Sequence, residues 1–221
     1  MKIEHLKLYT NKLNEQKEFY SSNLNLKIID DKRDYFTVQI GDTKLSFIKG
    51  DEKYHYHIAI NIPSNKINEA LAWLKKRVTV QPFNGDDIVS FSNWNANSVY
   101  FYDSENNIVE IISRKNLLLN SDSNFDQQSL LSISEIGVPT KNVAEIYNYL
   151  NSNHNLEKYD CDIERFCAIG DEEGLFVVID YSVKKWIPNM DNAVASPFEI
   201  LFENKKMIQL SYKNEKFIMN L

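Results

Sequence analysis

Two histidines, His5 and His57, stand at matching places in two runs that read as strands, and a carboxylate, Glu110, interrupts a third apolar run. Side chains alternate across a strand, so in Tyr54–Ile62 the residues His55, His57, Ala59 and Asn61 share one face while Ile58, Ile60 and Ile62 share the other. In Lys2–Tyr9 the same division sets His5, Lys7 and Tyr9 against Leu6 and Leu8. Glu110 lies in Ile108-Val109-Glu110-Ile111-Ile112, where an unpaired buried charge would be costly and a partner is needed. A divalent cation shared by His5, His57 and Glu110 would meet that need. Two imidazoles and a carboxylate with open positions suit Mn, Fe, Zn, Ni or Co and leave room for a substrate. His55, on the face of His57, is a candidate proton carrier; its alternative is an exposed residue at a strand start. Lys7 and Asn61 are candidates for substrate contact, with Lys7 equally able to reach solvent past His5. Trp94, Tyr100 and Tyr102 could wall a ligand site, against the more usual role of strand aromatics as core.

Such side chains need strands to carry them and helices to cover the apolar backs of those strands. The first strand, around Ile3–Tyr9, leads into a helical pattern over Asn11–Leu24, with Asn11 placed to cap it and Leu13, Phe19, Tyr20 and Leu24 as its apolar stripe. Three short strands follow near Leu26–Ile29, Tyr35–Ile40 and Lys44–Lys49, the last two joined by a Gly41-Asp42 turn. A second unit repeats the order: strand Tyr56–Ile62, helix Ser64–Lys76, then strands near Val78, Ile88, Val99 and Ile108, with Asp103–Asn107 as a turn. A shift of fifty-two residues sets His5 on His57 and Leu6 on Ile58.

The fold class expected is α+β, built of paired βαβββ modules that form a curved mixed sheet around a cleft. Residues 1–114 would hold two modules, about 1–50 and 54–114, facing each other across that cleft. The polar stretch 115–129 reads as a linker, and 130–221 as a degenerate third module of the same type. In it, Ser132–Thr140 is a strand in which Glu135 stands where His5 and His57 stand. Asn142 and Glu145 have capping-box spacing for a helix, His154 falls in a loop, and Pro197–Glu203 with Lys206–Tyr212 forms a hairpin. Phe176, Val178, Trp186, Phe198, Ile200 and Leu210 would then need cover, from the first modules or from a second copy in a twofold homodimer.

Composition excludes other classes. The 221 residues are 43% hydrophobic and 25% charged, enough for a sizeable core, and the net charge of -6 with scattered lysines argues against a nucleic-acid partner. No apolar run approaches membrane-spanning length, and the start has no signal-peptide pattern, so the expectation is a cytoplasmic protein without a membrane partner. Cys161 and Cys167 read as free thiols of a reducing compartment.

Together, Ile3-Glu4-His5-Leu6, Phe19-Tyr20, Tyr56-His57-Ile58-Ala59 and the run from Val99 through Asp103-Ser104-Glu105-Asn106-Asn107 to Glu110-Ile111 resemble the vicinal oxygen chelate superfamily, over residues 1 to about 114. This group includes glyoxalase I, extradiol dioxygenases, fosfomycin-resistance transferases and bleomycin-binding proteins. The resemblance implies one divalent metal ion on His5, His57 and Glu110, and a small substrate that chelates it through vicinal oxygens. The reaction would be that of a lyase, isomerase, dioxygenase or thiol transferase, with Tyr100 or His55 as the proton-handling residue. The glyoxalase acid on the last strand of the first module has no counterpart in Lys44–Lys49, and the phosphonate-binding lysine and arginine of many fosfomycin enzymes have no clear one, Ser90 and Ser113-Arg114 being what the alignment offers. The alternative is a metal-free protein that sequesters a ligand in the same cleft, as the bleomycin-binding members do.

Overall fold

The computed structural model describes residues 1–219; the last two residues of the expected C-terminal module lie outside them. The first unit comprises β1 (Lys2–Thr10), α1 (Leu13–Glu18), β2 (Ile28–Asp31), β3 (Tyr35–Ile40) and β4 (Thr43–Lys49). The second comprises β5 (His57–Ile62), α2 (Ile67–Leu74), β6 (Val80–Gln81), β7 (Val89–Phe91), β8 (Ala96–Tyr102) and β9 (Ile108–Arg114). A third contains β10 (Ser132–Thr140), α3 (Val143–His154), β11 (Lys158–Asp162), β12 (Phe166–Asp171) and β13 (Gly174–Asp180). A fourth, without a helix, is the meander β14 (Phe198–Asn204), β15 (Lys206–Lys213) and β16 (Lys216–Met219).

These units join in two mixed sheets, but not in the pairs expected. One sheet runs β16-β15-β14-β1-β4-β3-β2, and the other β11-β12-β13-β10-β5-β9-β8-β6 with β7 on β8. The first unit is therefore paired with the fourth through antiparallel β1 and β14, and the second with the third through antiparallel β5 and β10. Residues 1–114 do not close a cleft between themselves. The six C-terminal side chains that needed cover are all buried within the chain, which removes the reason for invoking a second copy.

Within β1 and β5 alternation predicted the faces correctly, His55 lying before β5. Leu6, Leu8, Ile58, Ile60 and Ile62 enter one continuous apolar core with Tyr20, Trp73, Leu74, Ile146 and Leu150 from the helical segments, while Ala59 belongs to a separate cluster on the opposite face. Helix ends differ in detail. The first helix begins after Lys12 without a side-chain cap, and continues past Glu18 as a π-helical turn over Phe19–Asn23. Asn11 does not cap it; the Thr10 hydroxyl accepts from the Lys12 amide instead. Asn142 does cap α3, its Oδ1 accepting from the Glu145 amide at 3.1 Å, and His154 closes that helix as a buried residue rather than lying in a loop.

Two loops fix the sheets against each other. Gly41, at φ +49°, lies so close to the segment before β10 that a Cβ would fall 1.8 Å from the Leu131 carbonyl oxygen, and the neighbouring Asp42 amide donates to that oxygen at 2.8 Å. Asp103 opens the loop before β9 and receives donors from both units, among them Gln16 and Tyr20 of the first. Cys161 and Cys167 face each other in the β11–β12 register, with Cα atoms 4.1 Å apart, and form a disulfide. The reading of free thiols is corrected: strand pairing brings the two sulfurs together, and a spacing of six does not reveal a register.

A candidate metal centre in the second sheet

His57 and Glu110 lie on neighbouring parallel strands, both buried, with His57 Nε2 and Glu110 Oε2 3.0 Å apart. The third member comes from β10. Glu135 stands opposite Ala59, as Glu110 does on the other side, so the face of β5 that carries His57 is flanked by two carboxylates. One donor atom from each of His57, Glu110 and Glu135 lies within 4.8 Å of the other two.

Both acids are tuned by their surroundings. Burial alone would raise Glu110, but the hydrogen bond and charge of His57 outweigh it and hold the carboxyl below its ordinary range. Burial and the charge of Glu110 push Glu135 up to about 7, against the pull of Arg114 and His57. Arg114, at the end of β9 and fully buried, pairs with Glu135 through Nη2 and donates from Nε to Asn61 Oδ1 at 3.2 Å. Asn61 in turn donates to the Glu172 carbonyl at 2.9 Å. A chain of polar contacts thus runs from a loop of the third unit to the cluster.

Above these groups is a cavity of about 310 Å³ lined by Phe91, Trp94, Tyr100, Phe166, Trp186 and Ile187, with exposed Lys184 at its mouth. The Lys184 ammonium lies 4.1 Å from the centre of the Phe166 ring. Trp186 packs 4.8 Å from the His57 ring, over Gly137, where a Cβ would meet the indole at 2.8 Å. Tyr100 faces Glu110 across the β8–β9 register, and burial with the two nearby carboxylates keeps its phenol protonated well above the ordinary range. A larger groove of about 940 Å³, beside residues 117–132, contains none of the three clustered donors.

The residues singled out in the sequence separate into those the cavity gathers and those it does not. His57, Glu110, Tyr100 and Trp94 are gathered, and Asn61 reaches the cluster through Arg114. His5 and Lys7 are in the other sheet, because β1 pairs with β4 and β14; His5 contacts Ser46 and Lys7 contacts Glu199. The expected triad of His5, His57 and Glu110 is therefore not assembled. His55 precedes β5, outside the alternation that would have aimed it beside His57, and lines a separate pocket with Tyr102 and Asp191. Tyr102 donates to Asp191 and is likewise outside the cavity. Glu135 and Arg114 were not picked out as site residues. Glu135 carried a usable signal, the same charged interruption of an apolar strand that drew attention to Glu110.

Whether the cluster suits an ion can be tested on its own atoms. Metal–nitrogen and metal–oxygen bonds of about 2.0–2.2 Å put neighbouring ligands roughly 3 Å apart, the spacing found between His57 Nε2 and Glu110 Oε2. Two buried carboxylates crowd one another, and a divalent cation would relieve that repulsion. One imidazole with two carboxylates is a donor set for Mn, Fe or Zn. The residues fit the group.

His5, by contrast, is held neutral. Burial first, then the charges of Lys7 and Lys44, lower it from 6.5 to about 4, and Nε2 shares a 2.7 Å hydrogen bond with Ser46 Oγ. Because the unfolded chain takes up this proton at higher pH than the folded one, the contribution of His5 to stability is present above 6.5 and lost as pH falls toward 4. His5→Gln should flatten that part of the profile: between about pH 7 and about pH 4.5, its melting temperature should fall less than that of the wild type in matched calorimetric scans. An unchanged slope would mean that His5 is not the titrating group.

No family model and no curated protein matches the chain. Among solved structures, a candidate dioxygenase from Bacillus subtilis subsp. subtilis str. 168 superposes with a TM-score of 0.60 at 14% identity, covering 81% of this chain and 63% of that one. The chain thus spans less than two thirds of that protein's length. Looser likenesses include lactoylglutathione lyase from Agrobacterium tumefaciens, at 16% identity and TM-score 0.42 over 49% of this chain and 90% of that one. A variant of the fosfomycin-resistance protein FosX from Listeria monocytogenes, solved with Mn(II), has 23% identity and TM-score 0.40 over 51% of this chain and 89% of that one. In its first three strand–helix–strand units and helix-less fourth, joined through their first strands into two mixed sheets, the chain shares the overall fold of that Bacillus subtilis structure.

Proposed function

We propose that the protein is a divalent-metal-dependent enzyme acting on a small substrate that presents two neighbouring oxygens, with His57, Glu110 and Glu135 as the ion's ligands. The observation that carries this reading is the convergence of three buried donors within 4.8 Å at one cavity. When bound, the ion would supply Lewis-acid stabilisation of negative charge developing on the substrate. The chain's own groups do the rest. Phe91, Trp94, Phe166 and Trp186 give the substrate apolar walls and exclude water. Tyr100, kept protonated, is suited to donate a hydrogen bond or proton and not to act as a base. Lys184 offers a cation to an anionic substituent at the mouth, and Arg114 holds Glu135 in position from behind, itself held by Asn61.

Elemental analysis tests this reading. Protein purified without chelator or histidine tag, then loaded with Mn, Fe, Co, Ni or Zn and desalted, should retain about one equivalent. His57→Ala should lose it, whereas His5→Ala should keep it. A wild type that takes up none of these metals would refute the reading and return the cavity to the class of metal-free binding proteins.

A further inference from the structure

The register that builds the cluster occurs a second time in the molecule. In β5, Ala59 stands opposite Glu110 of β9 on one side and Glu135 of β10 on the other, with His57 two residues earlier on the same face. In β1, Lys7 stands opposite Ser46 of β4 on one side and Glu199 of β14 on the other, with His5 two residues earlier. Position by position, His5 answers to His57, Lys7 to Ala59, Ser46 to Glu110 and Glu199 to Glu135. The hydrogen bonds correspond as well: His5 Nε2 meets Ser46 Oγ at 2.7 Å, where His57 Nε2 meets Glu110 Oε2 at 3.0 Å. His5, Lys7 and Glu199 share one small cavity of about 90 Å³, so their side chains point to a common space.

Charge distinguishes the two copies. The second sheet sets two carboxylates around a methyl group; the first sheet has one carboxylate, a hydroxyl where the other would be, and an ammonium where the methyl would be. That ammonium is used: Lys7 Nζ lies 2.9 Å from Glu199 Oε2, and the Tyr9 hydroxyl donates to Glu199 Oε1 at 3.1 Å. We propose that this face of the first sheet is a second copy of the metal-binding arrangement in which the Lys7 ammonium takes the cation's place. The proposal builds on the reading of His57, Glu110 and Glu135 as a metal centre. A divalent ion there would meet the Lys7 ammonium and only one anionic ligand, and like charges a few ångströms apart repel even at the partial exposure of Lys7 and Glu199, 33% and 25%. The differences are mutually consistent: a hydroxyl for a carboxylate and an ammonium for a methyl group each lower the negative charge that an ion would neutralise.

The test is to reverse the exchange in the full chain. Lys7→Ala/Ser46→Glu, loaded with Mn(II), desalted and assayed by elemental analysis, should hold one equivalent more than the wild type, and adding His5→Ala should remove that increment. The reciprocal variant, Ala59→Lys, should lose the wild-type equivalent while keeping its circular dichroism spectrum, because the new ammonium can pair with Glu110 and Glu135. Should the double variant not fold, the reciprocal one decides. A folded Lys7→Ala/Ser46→Glu protein with wild-type stoichiometry, or an Ala59→Lys protein that keeps its metal, overturns the proposal. A wild type with no metal refutes the proposed function and with it the premise of this copy, whereas a wild type with one equivalent whose folded double variant gains none overturns this proposal alone.

Discussion

Asp103→Ala is expected to destabilise the protein by about 3–5 kcal/mol, at the upper end of what a single substitution does. The Asp103 carboxylate is buried and accepts five hydrogen bonds. The amides of Glu105 and Asn107 reach Oδ1 at 2.9 Å each; the Asn107 side chain and Gln16 Nε2 reach Oδ2 at 2.8 Å each, and the Tyr20 hydroxyl reaches it at 3.2 Å. Burial pushes the carboxyl's pKa up, and these donors work against that shift. Alanine would leave the donors stranded, and an unmet buried donor costs more than a net hydrogen bond yields. Two of them belong to the first unit and the rest to the second, so the damage falls on the junction between the sheets. Urea unfolding followed by tryptophan fluorescence should show the loss, with Asp103→Asn retaining part of the stability through its one remaining carbonyl oxygen. A change below about 1 kcal/mol would mean that water replaces the carboxylate, and that the junction does not depend on it.

A second large effect is expected at Arg114. Arg114→Met should cost about 3–5 kcal/mol, because it strips a fully buried acid of its cation. Arg114→Met/Glu135→Met should cost much less than the two single changes added together, since the double change removes both charges and leaves apolar groups of similar length. Arg114 is 0% and Glu135 3% exposed, so solvent cannot screen either partner. Equilibrium unfolding of the metal-free proteins completes the cycle. Strict additivity would show that the pair is not coupled, and that Arg114 does not hold Glu135.

Local pattern and long-range pairing were not equally legible in the sequence. Period-two alternation identified which side chains of β1 and β5 face away from the helices, and the buried carboxylate in β9 was visible as a charge without a partner. The repeat of units was legible for the same reason, because each unit carries its own turn and periodicity. Which first strands pair was not. β1, β5 and β10 share one pattern, and the choice of β14 for β1 spans almost the whole chain, so no local signal records it. That single choice decides the site: it removes His5 and Lys7 to the other sheet and brings Glu135 to His57. Arg114 stands where the alignment offers a phosphonate cation, but its role behind Glu135 depends on β10 pairing with β5, which no local signal records. The cysteines show the same limit, their disulfide following from the β11–β12 register.

The central claim is that an ion belongs to His57, Glu110 and Glu135, and anomalous diffraction from crystals of the Mn(II)-loaded protein tests it most directly. Data collected on both sides of the manganese absorption edge should show one strong peak within bonding distance of His57 Nε2 and of a carboxylate oxygen from each of Glu110 and Glu135, and none between His5 and Ser46. A map without a peak at that cluster, or with its peak beside His5, would contradict the account.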